Sequence, residues 1–428
     1  MADDAQKVES LTKWLLDSNS KCQISTSLHV KETNYGGKGI FAISDVKPYQ
    51  QIMKISHNHL INFTTIVSHI SSFNSAVHLP TSYKHIKVSE TKSDRITQDL
   101  YSKLTLDQLL QLSSFQIVSM YLVLESIRGE NSYWKHFLNT LPVIDDFKLS
   151  PLFWRLNEHT TKLYNKLPPT TKAHADKISQ KFDLDYSIVK DLLTKYNLQE
   201  LLTKKFFLWA WMSTNSRCLY MEIPQGKDRD DNFTMAPYVD FINHSSSDHC
   251  SLKIDRNGFF VSTTSKYVEG DELYLCYGPH SNDFLLCEYA FILPKNDWND
   301  VDLTDSILKL FDEKQKEFLR EKGYFGEYTI NKDSVSFRTE VALAILEENV
   351  NDLYTNRRIN ALLNGYESSF YNKSINRRLK TLLNGLIDKF EEYASLEESD
   401  DIYEKIIGQL YREKCEIMEY HLQKIDNY

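Results

Sequence analysis

The spacing of hydrophobic positions switches repeatedly between helical and strand periods along the chain. Val8, Leu11 and Leu15 recur at helical spacing and predict a helix over residues 5–16. The stretch "ISTSLHVKETNYGGKGIFAISDV" (24–46) alternates polar and apolar residues around Gly36-Gly37, which predicts paired strands joined by a glycine turn. "QQIMKISHNHLI" (50–61) reads as a further strand. From Leu104 the period becomes helical, with Leu106, Leu109, Leu110, Phe115, Val118 and Leu122 on one stripe. "NSYWKHFLNTLP" (131–142) follows, stopped by Pro142, and further helices are predicted over 151–164 and 187–211. The proline-rich "LPPTTK" separates these two.

Strand spacing returns near 219–223, 251–254, 259–263 and 272–277, with turns at Arg256-Asn257-Gly258 and Glu269-Gly270-Asp271. After Pro294 the chain reads as helical to its end, with charged outer faces. "NRRINALLNG" (356–365) and "NRRLKTLLNG" (376–385) echo each other. Two copies do not make a solenoid, so they are read as two similar helix ends. The pattern therefore predicts a β-rich core divided by a helical insert and followed by a helical domain.

Composition narrows the class. A chain of 428 residues can hold two or three domains with sizeable cores. With 41% hydrophobic and 25% charged residues it reads as an ordinary folded protein, and 13 glycines and 10 prolines argue against long disordered linkers. The net charge of −9 disfavours a general nucleic-acid or anionic-membrane binder and suits a basic partner. Six dispersed cysteines with no CxxC pair favour reduced thiols over a disulfide framework. The acidic start lacks a signal or transit pattern, and no long apolar run predicts a membrane span. A cytoplasmic protein, with the nucleus as a further compartment, is expected.

"DFINHSSSDHC" (240–250) concentrates an acid, an amide, two histidines and a cysteine. As a zinc site it fails on spacing: H-x₄-H-C is not a recurrent zinc pattern, and no fourth ligand lies nearby. A Cys–His hydrolase built on Cys250 or Cys276 with His280 lacks any local signature of such enzymes. "YGGKGIF" has neither Walker nor dinucleotide spacing, and by itself reads as a tight hairpin.

Three segments taken in order say more. "GGKGIFA" (36–42), "APYVDFINHS" (236–245) and "GDELYLCYG" (270–278) resemble the signature segments of SET-domain methyltransferases. With "SNDFLLCEYAFIL" (281–293), "NSYWKHFLNTLP", "WAWMSTNSR" (209–217) and "SFRTEVALAILEEN" (336–349), the chain resembles one branch of that family. That branch is typified by the plant Rubisco large-subunit lysine methyltransferase. It includes fungal ribosomal-lysine methyltransferases and an animal actin-histidine methyltransferase. The likeness spans about residues 20–350, and the ordered set is far more specific than any single member.

The resemblance implies an α+β fold: small sheets wound around a pseudoknot, a helical insert and an all-α C-terminal substrate-binding domain. The expected divisions are a SET core over 20–100 and 205–294, an insert over 101–204 and a C-terminal domain over 295–428. It implies S-adenosyl-L-methionine as cofactor and no metal. Gly37, Lys38 and Gly39 match the loop that wraps the cofactor with main-chain groups. Arg217 matches the arginine near the methionine carboxylate. Asn243 and His244 match the pair that threads the pseudoknot and binds adenine and the amino group, with Asp240 and Ser245 bracing them. Tyr289 and Phe291 match tail aromatics that cover adenine or border the lysine channel. His249 and Cys250 fall outside the motif and are read as structural, and Tyr274 as core packing.

Tyr277 matches the active-site tyrosine. A lysine must reach the reaction neutral although its reference pKa is about 10.4. Desolvation and a nearby positive charge depress that value, and the Tyr277 hydroxyl can orient the amine. The resemblance thus implies a protein-lysine N-methyltransferase acting on a basic protein, a ribosomal protein or translation factor. A monomer with no direct nucleic-acid or membrane contact is expected. Protein-histidine methylation and a non-catalytic binding module are the alternatives. The charged connection "YMEIPQGKDRDDNFTMAP" (220–237) is expected to alter substrate access, and the acidic "EEYASLEESDD" (391–401) to attract a basic partner.

Overall fold

The computed structural model describes residues 2–79, 95–156, 158–222, 231–366 and 369–427. The chain divides into two compact units, Met1–Lys148 with Lys177–Pro279, and Leu149–Asp176 with His280–Tyr428.

The first unit carries two four-stranded sheets. One runs in the order Gln23–Ile24, Gln51–Ser56, Gly258–Ser262, Ser251–Asp255. The other runs Leu28–Glu32, Lys38–Ala42, Glu272–Leu275, Asn243–His244. Within the second sheet Glu272 and Leu273 oppose Phe41 and Ile40 in antiparallel register. On the other side of the same strand, Tyr274 and Leu275 lie parallel to Asn243 and His244. The "GGKGIFA", "NHS" and "GDELYLCYG" segments are therefore neighbours in one sheet. The glycine turn behaves as its sequence predicts: Gly36 and Gly37 adopt φ of +100° and +75°, which residues with a Cβ rarely do.

The predicted helix from Leu104 is two helices, Leu106–Gln111 and Ser114–Arg128. Each has its own capping box, Thr105 with Gln108 and Ser113 with Gln116, and the second restarts the chain after Leu112. Ser114–Arg128 is buried almost all round, so its apolar stripe understates its burial. The predicted helix over 187–211 is also divided. Its first part belongs to Pro169–Thr194, which starts just inside the proline pair, and the rest to Lys204–Arg217, capped by Thr203. Pro169 initiates a helix here, because a proline nitrogen loses nothing in the first turn.

In the second unit Trp154, Tyr164, Leu167 and Ala175 share a core with Leu286, Cys287, Ile406, Ile407 and Leu410. The region after Pro294 is not helical throughout. Asp300–Asp302 pairs antiparallel with Thr329–Asn331, and Val301 and Ile330 from the pair enter the main core. The echoing segments also part company. "NRRINALLNG" is a helix, Arg357–Leu363, that ends before Gly365 at φ +79°. Residues 376–385 lie inside the helix Asn372–Ala394, where Ile375, Leu379, Leu383 and Ile387 carry the apolar stripe past Gly385. The first copy has no such continuation, so only it is a helix end.

Among the described residues no helix is long and apolar enough to cross a membrane, and no group of three or more His, Cys, Asp or Glu side chains is placed to hold a metal.

Candidate functional site

Nine of the eleven residues singled out from the sequence lie in the first unit, and the sheet brings their segments side by side. Lys38 opens the strand Lys38–Ala42. Its carbonyl accepts from Asn243 Nδ2 at 3.1 Å, while its ammonium reaches Asp4 Oδ1 at 3.3 Å. Lys38 is therefore a strand residue, and the turn proper is Gly36-Gly37. Gly39 has a different reason to be glycine. A Cβ built there would overlap Glu272 Oε1 and stand 3.0 Å from Asn243 Nδ2.

Tyr277 is held at both ends by the segment it faces. Its hydroxyl donates to the Ile242 carbonyl at 2.8 Å, and its N–H donates to His244 Nδ1 at 3.1 Å. The two rings stack with centroids 5.1 Å apart and planes inclined by 29°. Because His244 Nδ1 accepts a backbone N–H, the imidazole is neutral, with its proton on Nε2. The Nδ1 lone pair of His244 is thus committed to the Tyr277 N–H. Ser245 continues the pairing through its N–H to the Leu275 carbonyl at 3.0 Å.

Arg217, the last residue of its helix, donates from Nη1 to both Oδ2 and the backbone carbonyl of Asp240, at 3.0 and 2.9 Å. Burial pushes the Asp240 carboxyl above its ordinary range, and the Arg217 guanidinium draws it partly back. Tyr238 just before it has φ of +73°, a conformation costly for a bulky side chain and found most often at functional sites. Arg217 Nε and Asp240 Oδ1 are buried without hydrogen-bond partners among the described residues. A buried guanidinium N–H with no acceptor suits a ligand that carries a carboxylate, as an amino-acid moiety does.

Sequence reasoning missed two residues here. Glu272 Oε1 accepts from Asn243 Nδ2 at 2.8 Å and from the Tyr35 hydroxyl at 2.6 Å. Glu272 Oε2 accepts from the Tyr274 hydroxyl at 2.9 Å. Tyr274 is thus half-buried with its hydroxyl on a carboxylate, not core packing as expected, and its pKa is pushed up to about 12, chiefly by burial. Their only sequence signal was inclusion in "NYGGKG" and "GDELY".

Tyr289 and Phe291 belong to the second unit. Tyr289 ends the helix Asn282–Tyr289, Ala290 turns the chain at φ +65°, and the two rings lie 6.1 Å apart. His249 and Cys250 serve local structure: the His249 carbonyl accepts from Thr264, and Cys250 N–H donates to the Tyr274 carbonyl at 2.7 Å. Residues 223–230 of the charged connection expected to alter access, with Lys227, Asp228, Arg229 and Asp230, lie outside the described residues.

The SET domain family profile matches residues 37–278, more than half of the chain. The chain belongs to the SET-domain family. A second profile, the C-terminal domain of ribosomal lysine N-methyltransferase 2, matches residues 299–424 of this SET-domain protein. It is 31% identical over 423 residues to ribosomal lysine N-methyltransferase 2 of Saccharomyces cerevisiae, covering 86% of this chain and 87% of that one. It is 29% identical to ribosomal lysine N-methyltransferase set11 of Schizosaccharomyces pombe, over 60% of this chain and 65% of that one. The crystal structure of the SET domain of LSMT bound to lysine and AdoHcy superposes with a TM-score of 0.62 at 15% identity, over 99% of this chain and 91% of that one. That likeness establishes the fold, a SET core with a helical C-terminal region.

Proposed function

We propose that this protein methylates a lysine of a ribosomal protein. As a SET-domain protein of this branch it is an S-adenosylmethionine-dependent protein-lysine N-methyltransferase; the ribosomal substrate is the step inferred here. One observation carries that step. Similarity to the yeast ribosomal lysine N-methyltransferase runs through both the SET core and the C-terminal region, not through the core alone.

When bound, S-adenosylmethionine supplies a methyl group made electrophilic by its sulfonium. The chain's own residues then bind and align. Arg217, with its unpartnered Nε, and the Asn243 amide hold the cofactor's amino-acid end. Gly37, Lys38 and Gly39 offer main chain, and Asp240 and Ser245 brace the Asn243-His244 segment. The Tyr277 hydroxyl already donates its hydrogen bond to the Ile242 carbonyl, so it meets an incoming amine as an acceptor. It orients one N–H of the lysine and leaves the nitrogen lone pair for the methyl carbon. The amine's extra proton leaves to solvent beforehand, helped by desolvation.

The division of labour in this reading is a core over 20–100 and 205–294, an insert over 101–204, and residues 295–428 to dock the substrate. In that last region the acidic stretch 391–401 includes exposed Glu391 and Glu392, while Glu397 pairs with Arg412 at 3.6 Å.

The test is incubation of purified protein and labelled cofactor with ribosomes from cells lacking it, followed by mass spectrometry. A labelled lysine on a ribosomal protein is expected. Label confined to a non-ribosomal protein, or to histidine, would sink the reading.

A further inference from the structure

The hydrogen bonds around Glu272 join three segments that lie far apart in the chain. Tyr35 precedes the glycine turn, Asn243 lies in the parallel strand, and Glu272 opens the strand between them. Oε1 of Glu272 receives both the Asn243 amide and the Tyr35 hydroxyl, and Asn243 Nδ2 also lies 3.0 Å from the Tyr35 oxygen. The three groups form a closed triangle. Asn243 Nδ2 faces a carboxylate and the Lys38 carbonyl, two groups that only accept, so the amide orientation is decided. Nδ2 points inward. Oδ1, at the other end of the amide, points away from the triangle.

We propose that Glu272 and Tyr35 are positioning residues for cofactor binding: the carboxylate locks the Asn243 amide with Oδ1 presented, and Tyr35 ties the glycine turn to that lock. The inference rests on the methyltransferase reading, but not on the identity of the protein substrate. Gly39 supports it independently. The carboxylate and amide occupy the space where any side chain at 39 would begin, so the glycine makes room for the lock rather than for a special backbone angle. Tyr35 is 60% exposed, yet its hydroxyl is the group drawn in. Its ring contributes little to a core, and its hydroxyl is held by Glu272 and Asn243.

A lock of this kind predicts a selective effect. With Glu272→Gln, the charged acceptor becomes a neutral amide oxygen that must serve both Asn243 and Tyr35 while its NH2 faces the Tyr274 hydroxyl, so the grip on the Asn243 amide weakens. Losing a hydrogen bond to a charged group corresponds to about a tenfold change in affinity. The experiment measures binding of S-adenosylhomocysteine to the full-length protein by calorimetry, alongside thermal unfolding and steady-state kinetics. For Glu272→Gln we expect affinity reduced by about tenfold or more, and KM for the cofactor raised by more than kcat falls. Tyr35→Phe is expected to act in the same direction but more weakly, and the double variant to be less than additive. Gly39→Ala should resemble Glu272→Gln. Unchanged affinity in Glu272→Gln, or a fall in kcat and melting temperature with KM untouched, would overturn the lock and leave a purely structural cluster. A wild-type protein that bound no S-adenosylhomocysteine would instead overturn the methyltransferase reading and the lock with it.

Discussion

The hydroxyl of Tyr277 donates to the backbone carbonyl of Ile242 at 2.8 Å, across 35 residues of chain. The backbone N–H of the same tyrosine is held by His244, so both ends of Tyr277 are set by one segment. A hydroxyl fixed in this way costs no reorganisation when a substrate amine arrives.

Tyr277→Phe removes that acceptor and leaves the ring stack on His244. We expect kcat to fall by about 10²-fold, with S-adenosylhomocysteine affinity and melting temperature nearly unchanged. Single-turnover kinetics and calorimetry together check this. Full activity in the variant would remove Tyr277 from the chemistry.

Arg217→Met leaves the Asp240 carboxylate, only 2% exposed, without its cation. Breaking a buried pair from one side costs more than the pair contributes, here about 2–3 kcal/mol because Arg217 is partly exposed. Urea unfolding measures it. The double variant Arg217→Met/Asp240→Asn should recover much of the stability but none of the cofactor affinity, which separates the two roles of the arginine.

Glu413 gives a pH signature in the second unit. Its carboxylate accepts from Asn282, Asn299 and Gln409, and burial raises its pKa from 4.5 to about 7. Between those values the folded state binds more protons than the unfolded state, so its stability contribution is greatest below pH 4.5 and falls as pH rises toward 7. The loss is on the order of 3 kcal/mol. Glu413→Gln should abolish this slope, and the difference between wild-type and variant unfolding free energies from pH 5 to pH 8 isolates it. A constant difference across that range would contradict the assignment.

The two echoing segments make opposite predictions for one substitution. Gly385 lies within a helix with open space where a Cβ would stand, so Gly385→Ala should stabilise the protein by about 0.5–1 kcal/mol. Gly365 ends a helix at φ +79°, so Gly365→Ala should destabilise it by about 1 kcal/mol. Denaturant midpoints for the two variants should move in opposite directions.

Several features were legible because their causes are local. Gly36-Gly37 announced a turn that residues with a Cβ disfavour, and the turn is there. The apolar stripe of residues 336–349 became the buried helix Phe337–Ile345. The order of "GGKGIFA", "NHS" and "GDELYLCYG" pointed to the SET family before any distance was known. Neighbouring residues in the chain carry such information, since helix caps, turns and periodicity act over a few positions.

Other features depended on which distant segments meet. Glu272 and Tyr35 are 237 positions apart, and nothing near either one announces the other. Gly385 looked like a helix end until the stripe through Ile387 found a core to enter. Asp300–Asp302 looked like the start of a helical region until its pairing with Thr329–Asn331 satisfied its backbone. A short polar segment or a lone carboxylate has no strong preference of its own. Strand register and burial, which exist only once the chain has folded, give it a partner.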